Sequence, residues 1–450
     1  MTINHLPDEV LLDIFDHYQQ GIDPYDLPLG EEYAWFDIAH VCRKWRAIMF
    51  ASSTRLDLGI TVGPEKPGNI EMILSDAWPI LIKYRQRHRN FSGSALWRLH
   101  AALRHHDRVR KISFRGTSAD FDELFKGTNR PFPALESLSL FFNDDLKLPD
   151  TFLGGPDLSY LHLRCLKLYS ASLASISGFL SSARSLTYLL LRIDIASSSS
   201  PATSFLACLQ GMPCLRSLDL SVLNPLDPSS RPPTPKDIVT LSKLTRFRYG
   251  GRHLFLNALV AGLSAPSLLV VDMGLIDGIW FPIEHLPRFI DGIEEHYYAF
   301  SVIFGVQNFR LSLQGKSEYI PRFTLGSRST SSRSPEAIIQ MSDTLSTRLT
   351  TVEELHISFD ETAIADSIPW RRFYQQFPSV KVLRTKGINN HWIAHTLLQD
   401  HEEPDDDPTF LPSLEEIELP WLAEVAAFQP FVSARRQAGR PVKVFFAPDG

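Results

Sequence analysis

Two short stretches carry residue types that could do chemistry. Gln314-Gly315-Lys316-Ser317 has the ending of a phosphate-binding loop, in which backbone N–H groups and a lysine cradle a nucleotide's phosphates. The position five before Gly315 is Arg310 and not glycine, so the turn lacks the backbone freedom that such a cradle needs. In His391-Trp392-Ile393-Ala394-His395 the two histidines stand one helical turn apart, a spacing that can chelate zinc. Trp392, however, occupies the place of a metalloprotease's general-base glutamate, and no third ligand is evident, so the pair reads as surface histidines. No G-x-S-x-G elbow and no G-x-G-x-x-G turn occurs. Cys42, Cys165, Cys208 and Cys214 include no C-x-x-C pair and read as free thiols in a reducing compartment. The sequence thus predicts no catalytic residue, no metal site and no cofactor, and it points to recognition.

The chain has 450 residues, enough for several compact domains or one elongated array, with 44% hydrophobic and 21% charged residues. A formal charge of −6 supplies no net attraction to nucleic acid or to anionic lipid. The longest apolar runs, such as YYAFSVIFGV at 297–306, are much shorter than a bilayer span of roughly 20 residues, and no basic-then-apolar leader opens the chain. A cytoplasmic or nuclear protein that binds neither membrane nor nucleic acid is expected.

The elements that would do the recognising begin at residue 6. In LPDEVLLDIFDHY, Leu6, Val10, Leu11, Ile14, Phe15 and Tyr18 form one helical stripe, with Pro7 in the first turn and Asp8 and Glu9 at the positive end of the helix dipole. After a turn-rich segment, Trp35, Ile38, Cys42, Trp45 and Met49 step by three and four residues, which predicts a second amphipathic helix of about five turns. Two helices of this size bury too little surface to stand alone, so a partner or a following domain must cover them.

Leu6-Pro7 opening a helix, the ladder ending in Ile14-Phe15, and Val41-Cys42-Arg43-Lys44-Trp45 together resemble the F-box. The longer segment between Phe15 and Trp35 resembles the F-box-like proteins abundant in mushroom-forming fungi. This resemblance implies docking to a Skp-type adaptor and, through it, to the cullin of an SCF-type (Skp-cullin-F-box) ubiquitin ligase. The implied adaptor-binding residues are Leu6, Pro7, Val10, Leu11, Ile14, Phe15, Val41, Cys42 and Trp45. The Leu-Trp that often follows the second helix is replaced by STRLDLGI.

From about residue 106 an L-x-x-L-x-L phrase recurs, as in PALESLSL at 133, PDLSYLHL at 156, ARSLTYLLL at 183, PCLRSLDL at 213 and PSLEEIEL at 412. Its period is that of leucine-rich repeats, although it is lost between 275 and 350. Between the phrases lie helical stretches. SLASISGFLSSA places Leu173, Ile176, Leu180 and Ala183 on one face, and TPKDIVTL carries an N-cap signal at Thr234. The expected fold is an α/β solenoid: an F-box-like helical domain (1–58), a helical connector (59–105), and an irregular leucine-rich-repeat horseshoe (106–450) with a parallel concave sheet and outer helices.

Residues between the leucines should point to the concave face. Tyr160, His162, Arg164, Tyr188, Arg192, Arg246 and Arg248 would then form an aromatic and basic strip for an unknown protein target. A one-residue slip in register would reverse that assignment. The alternative is an interaction scaffold in which the F-box-like helices only cap the solenoid.

Overall fold

A computed structural model of the protein describes residues 6–20, 41–52, 60–62, 79–85, 93–126, 130–146, 162–194, 201–222, 237–276, 283–291, 293, 297–304, 308–315, 323–328, 334–359, 370–387, 390–402, 410–420 and 425–446. The chain divides into two compact units, Met1–Ser170 and Ala171–Gly450.

The first unit opens with helices α1 (Asp8–Gln20) and α2 (Arg43–Ala51). The second amphipathic stripe is interrupted at Cys42, which is extended with φ −157° and ψ 171°, and α2 starts after it; Trp35 and Ile38 lie outside the described residues. Strands β1 (Ile60–Val62), β2 (Ile80–Arg85), β3 (Val109–Gly116) and β4 (Ser137–Leu146) follow, and each pairs in parallel with the next. Segment 59–105 is therefore not a purely helical connector, because it contributes β1 and β2 as well as helix α3 (Gly93–Arg104). Ile80, Ile82 and Tyr84 alternate with half-buried or exposed residues, which is the two-residue period of a strand with one covered face. Helix α4 (Ser118–Phe125) starts at a reciprocal capping box between Thr117 and Asp120. Strand β5 (Cys165–Ser172) crosses the division between the units.

In the second unit helix α5 (Leu173–Ser182) buries Leu173, Ile176 and Leu180, as the pattern predicts. Strands β6 (Tyr188–Asp194) and β7 (Ser217–Val222) flank helix α6 (Pro201–Gln210). No helix forms over 237–241. Val239–Thr240 (β8) instead pairs with Leu263–Ser264 (β10), after β9 (Arg246–Gly251) and helix α7 (His253–Gly262). So short a segment gains few helical bonds for the cost of nucleating the first turn.

After β11 (Val270–Leu275) and the short helix α8 (Leu286–Ile290), the region without the repeat period holds β12 (Tyr297–Phe304), β13 (Asn308–Gly315) and β14 (Phe323–Arg328). β13 runs antiparallel to both neighbours, so the VQNFRLSLQG stretch is a strand but not another parallel repeat. Helices α9 (Ser334–Thr344) and α10 (Ser346–Leu349) lead to β15 (Glu354–Phe359). Helix α11 (Trp370–Tyr374), β16 (Val382–Lys386), helix α12 (Asn390–Glu402), β17 (Glu416–Leu419), helix α13 (Val425–Gln437) and β18 (Lys443–Phe446) complete the described chain. The spatial order is β6-β7-β9-β11-β14-β13-β12-β15-β16-β17-β18.

The recurring leucines form the core. Leu135/Leu138/Leu140, Leu163/Leu166/Leu168, Leu186/Leu189/Leu191, Leu215/Leu218/Leu220, Leu244/Phe247/Tyr249 and Leu268/Val271/Met273 are all buried, as are Val352/Leu355/Ile357 and Leu414/Ile417/Leu419. One phrase has a second frame: Leu163 also begins the set Leu163/Leu166/Leu168, which is buried with strand Cys165–Ser172, while Leu158 and Leu161 of PDLSYLHL lie outside the described residues. Gly387, directly after β16, has φ +109°, and a Cβ there would run into the Phe359 carbonyl oxygen, so no other residue fits. Arginines tie neighbouring helices together: Arg288 donates to the Val260 and Ala261 carbonyls at the end of α7, and Arg348 to the carbonyls of Ile290, the last residue of α8, and of Ile293 after it.

Candidate partner-binding surfaces

Helices α1 and α2 close on a small core of Leu11, Leu12, Phe15, Ile48 and Met49, against which Leu6 and Trp45 pack. The Phe15 and Trp45 rings meet edge to face with centroids 5.0 Å apart. One polar contact starts α2 and two join it to α1. The Cys42 sulfur accepts the Trp45 backbone N–H at 3.4 Å and so serves as the N-cap of α2, an acceptor small and apolar enough for a half-buried helix start. Lys44 donates from Nζ to the Leu6 carbonyl at 2.9 Å and lies 3.3 Å from an Asp8 carboxylate oxygen, which pins α2 to the start of α1.

The nine residues expected at an adaptor surface therefore separate. Leu11 and Phe15 point into the helix pair and are not surface residues, because the ring-to-ring contact with Trp45 needs Phe15 inside. Leu6, Cys42 and Trp45 are half-buried; Leu6 and Trp45 pack on the shared core, and Cys42 caps α2. Pro7 is exposed, and Val10, Ile14 and Val41 keep 41%, 40% and 57% of their surface in solvent. Val10 and Ile14, one turn apart, make an apolar ledge on the outer side of α1. Sequence reasoning missed the roles of Leu12 and Lys44, since these depend on how two helices meet.

The expected target strip is only partly assembled. Tyr160 lies outside the described residues; His162 and Arg164 are exposed but precede β5, which follows the second frame of the phrase. Tyr188 falls on the outward register of β6, yet its ring is 5% exposed, burial that a large aromatic gains more from than from solvent. Arg192 is exposed on the same strand, and Arg246 is half-buried on β9. Arg248 is held between Asp219 at 3.5 Å and Asp272 at 3.2 Å, with both partners on neighbouring strands in the same row. Burial pushes the Asp219 carboxyl up, while Arg248 pulls it the other way.

The outward row continues through Thr324, Ser312 and Ser301 to His356, Arg384 and Glu418. Around His356 lies a polar network with no signal in the sequence. Glu354, almost fully buried, accepts the Tyr298 O–H at 2.7 Å and contacts His356 Nε2 at 3.1 Å, while Arg384 lies 2.9 Å from Glu418. Burial acts to raise the Glu354 carboxyl, but the hydrogen bonds from Tyr298 and His356 and the Arg384 charge outweigh it and hold the group below its ordinary range. His391 and His395 are exposed on α12 against Trp392. Among the described residues no group of three or more His, Cys, Asp or Glu side chains could hold a metal ion, and no helix is long and apolar enough to cross a membrane. Burial pushes the Cys165 and Cys208 thiols up, away from the reactive thiolate form.

A comparison with curated proteins found no significant match to this chain. Residues 3–54, which span the helix pair, its Cys42 cap and its outward ledge, match the F-box-like family and form an F-box-like domain.

Proposed function

We propose that this protein is the substrate-recognition subunit of an SCF-type ubiquitin ligase, working in the cytoplasm or nucleus. The F-box-like helices dock a Skp-type adaptor, the adaptor links them to a cullin, and the sheet-and-helix region, read as an irregular leucine-rich-repeat horseshoe, holds a protein target. The chain has no reaction of its own in this scheme. It raises the local concentration of target lysines beside a ubiquitin-charged enzyme carried elsewhere in the complex.

The observation that carries the reading is the apolar ledge of Val10 and Ile14, left in solvent on a helix pair whose inner side is already filled. An apolar ledge of this kind is stabilised by a partner that covers it. Its test is a pull-down of the full chain with the Skp-type adaptor of the same species. Val10→Asp with Ile14→Asp should cut binding at least about tenfold, or about 1.4 kcal/mol, with the helical circular dichroism unchanged. Absence of wild-type binding at micromolar concentrations would leave the interaction scaffold as the better account.

A further inference from the structure

The sheet of the first unit has an outward face on which cations cluster. In register across β2, β3 and β4, Leu81 lies beside Lys111 and Ser137, Lys83 beside Ser113 and Ser139, and Arg85 beside Arg115 and Phe141. On β5 the alternate positions are Cys165, Lys167 and Tyr169. Lys167 and Lys111 both act on the Cys165 thiol, which places all three together. Five cations thus share these outward strand positions with serines and two aromatic rings, and the carboxylate on the same alternation of β4, Asp145, stands at that strand's far end.

Two details give the patch a preference. Arg85 and Arg115 stand directly opposite on adjacent strands, an arrangement of like charges that weakens a sheet unless an anion bridges them. Arg115 lays its guanidinium over the Phe141 ring, 4.4 Å from the centroid, and that ring contacts Tyr169 at 5.1 Å. Stacking holds the planar fork in place, so less freedom is lost when it takes a carboxylate in two parallel hydrogen bonds. It also occupies a face of Phe141, on which a nucleic-acid base would otherwise stack.

We infer that the outward face of the first unit is a docking surface for an extended, carboxylate-rich segment of a partner protein, with Arg85 and Arg115 at its centre. On the receptor reading above, that partner is the target. The spacing suits such a segment. Successive outward residues of a strand are about 6.7 Å apart, which is also the distance between every second side chain of an extended peptide. The whole chain carries −6, so this face reverses the sign of its surroundings and selects acidic partners locally.

Fluorescence anisotropy of the full chain without adaptor, using a labelled peptide that alternates glutamate and serine, tests this independently of the F-box-like domain. Binding is expected at low salt and should weaken steeply as salt rises. Arg85→Gln with Arg115→Gln should weaken it at least about tenfold. Arg115→Lys, which keeps the charge and loses the stacked fork, should fall between, and Arg310→Gln on the second unit should change nothing. Far-ultraviolet circular dichroism of each variant separates lost binding from lost folding. No peptide binding at low salt, equal binding by the double variant, or tighter binding of oligouridylate through the same arginines would each overturn the proposal. Loss of adaptor binding with peptide binding intact would sink the ligase reading alone.

Discussion

Lys83, Arg85, Lys111, Arg115 and Lys167 cluster at outward strand positions of the first unit's sheet, whereas in the second unit the outward cations of the central row, Arg248 and Arg384, share that row with carboxylates on adjacent strands. Arg248 sits between Asp219 and Asp272, and Arg384 reaches both Glu354 and Glu418. The inner faces do not differ in this way. Leu138 and Leu140 in one unit and Leu218 and Leu220 in the other are equally buried. The same strand pattern tolerates either outward chemistry, so the outward residues are free to answer to partners while the leucines answer to the fold.

The largest effects should come from the shared inner faces. Leu138→Ala and Leu218→Ala should each cost about 3 kcal/mol through lost burial and the cavity left behind, read as a fall in the urea midpoint. A large inequality between them would break the equivalence of the two inner faces. Next, Glu354→Gln should cost about 2 kcal/mol, since Arg384 and His356 lose a nearly buried anion, and chemical denaturation would measure it. No outward position of the first unit should behave like this.

Acid and alkali sharpen the contrast. Because the folded Glu354 carboxyl is held below its ordinary range, its contribution is complete above that range and is lost as pH falls through the folded value. The Tyr298 phenol is pushed up to about 12, first by the hydrogen bond it donates to Glu354 and then by burial; its contribution holds below 10 and is lost between there and about 12. Melting temperatures of wild type and Glu354→Gln across pH should therefore converge at the acid end. The smallest effect is reserved for the first unit: Arg85→Gln should stabilise it by a few tenths of a kcal/mol, and added salt should do the same to the wild type and not to the variant.

The sequence made the inner residues legible because they repeat. The L-x-x-L-x-L triplets and the stripe on α5 are local patterns with one physical cause, and each marks a buried position. In PDLSYLHLRCLKL, two frames of the same phrase overlap at Leu163, and only pairing with the rest of the sheet chooses the later one. β2 was hidden because ILIKYR alternates without carrying the phrase. In the F-box-like pair, the apolar stripe was readable, but its division into Phe15 inside and Ile14 outside depends on the angle at which α2 returns. That angle is set by the break at Cys42 and by Lys44 reaching Leu6. Ion pairs across strands, such as Arg248 with Asp272, are likewise invisible until register is known.

The reversed order of β12, β13 and β14 bears on how the second unit is assembled. A regular array zips from one repeat to the next, each new strand laid on the one just made. Here the chain leaves β11 at residue 275, and the strand that belongs beside it is not synthesised until residue 323, by which point two others have been made. Until β14 is made, β11 has no parallel neighbour on that side, and closing the longer intervening segment costs more chain entropy than laying down a neighbouring repeat.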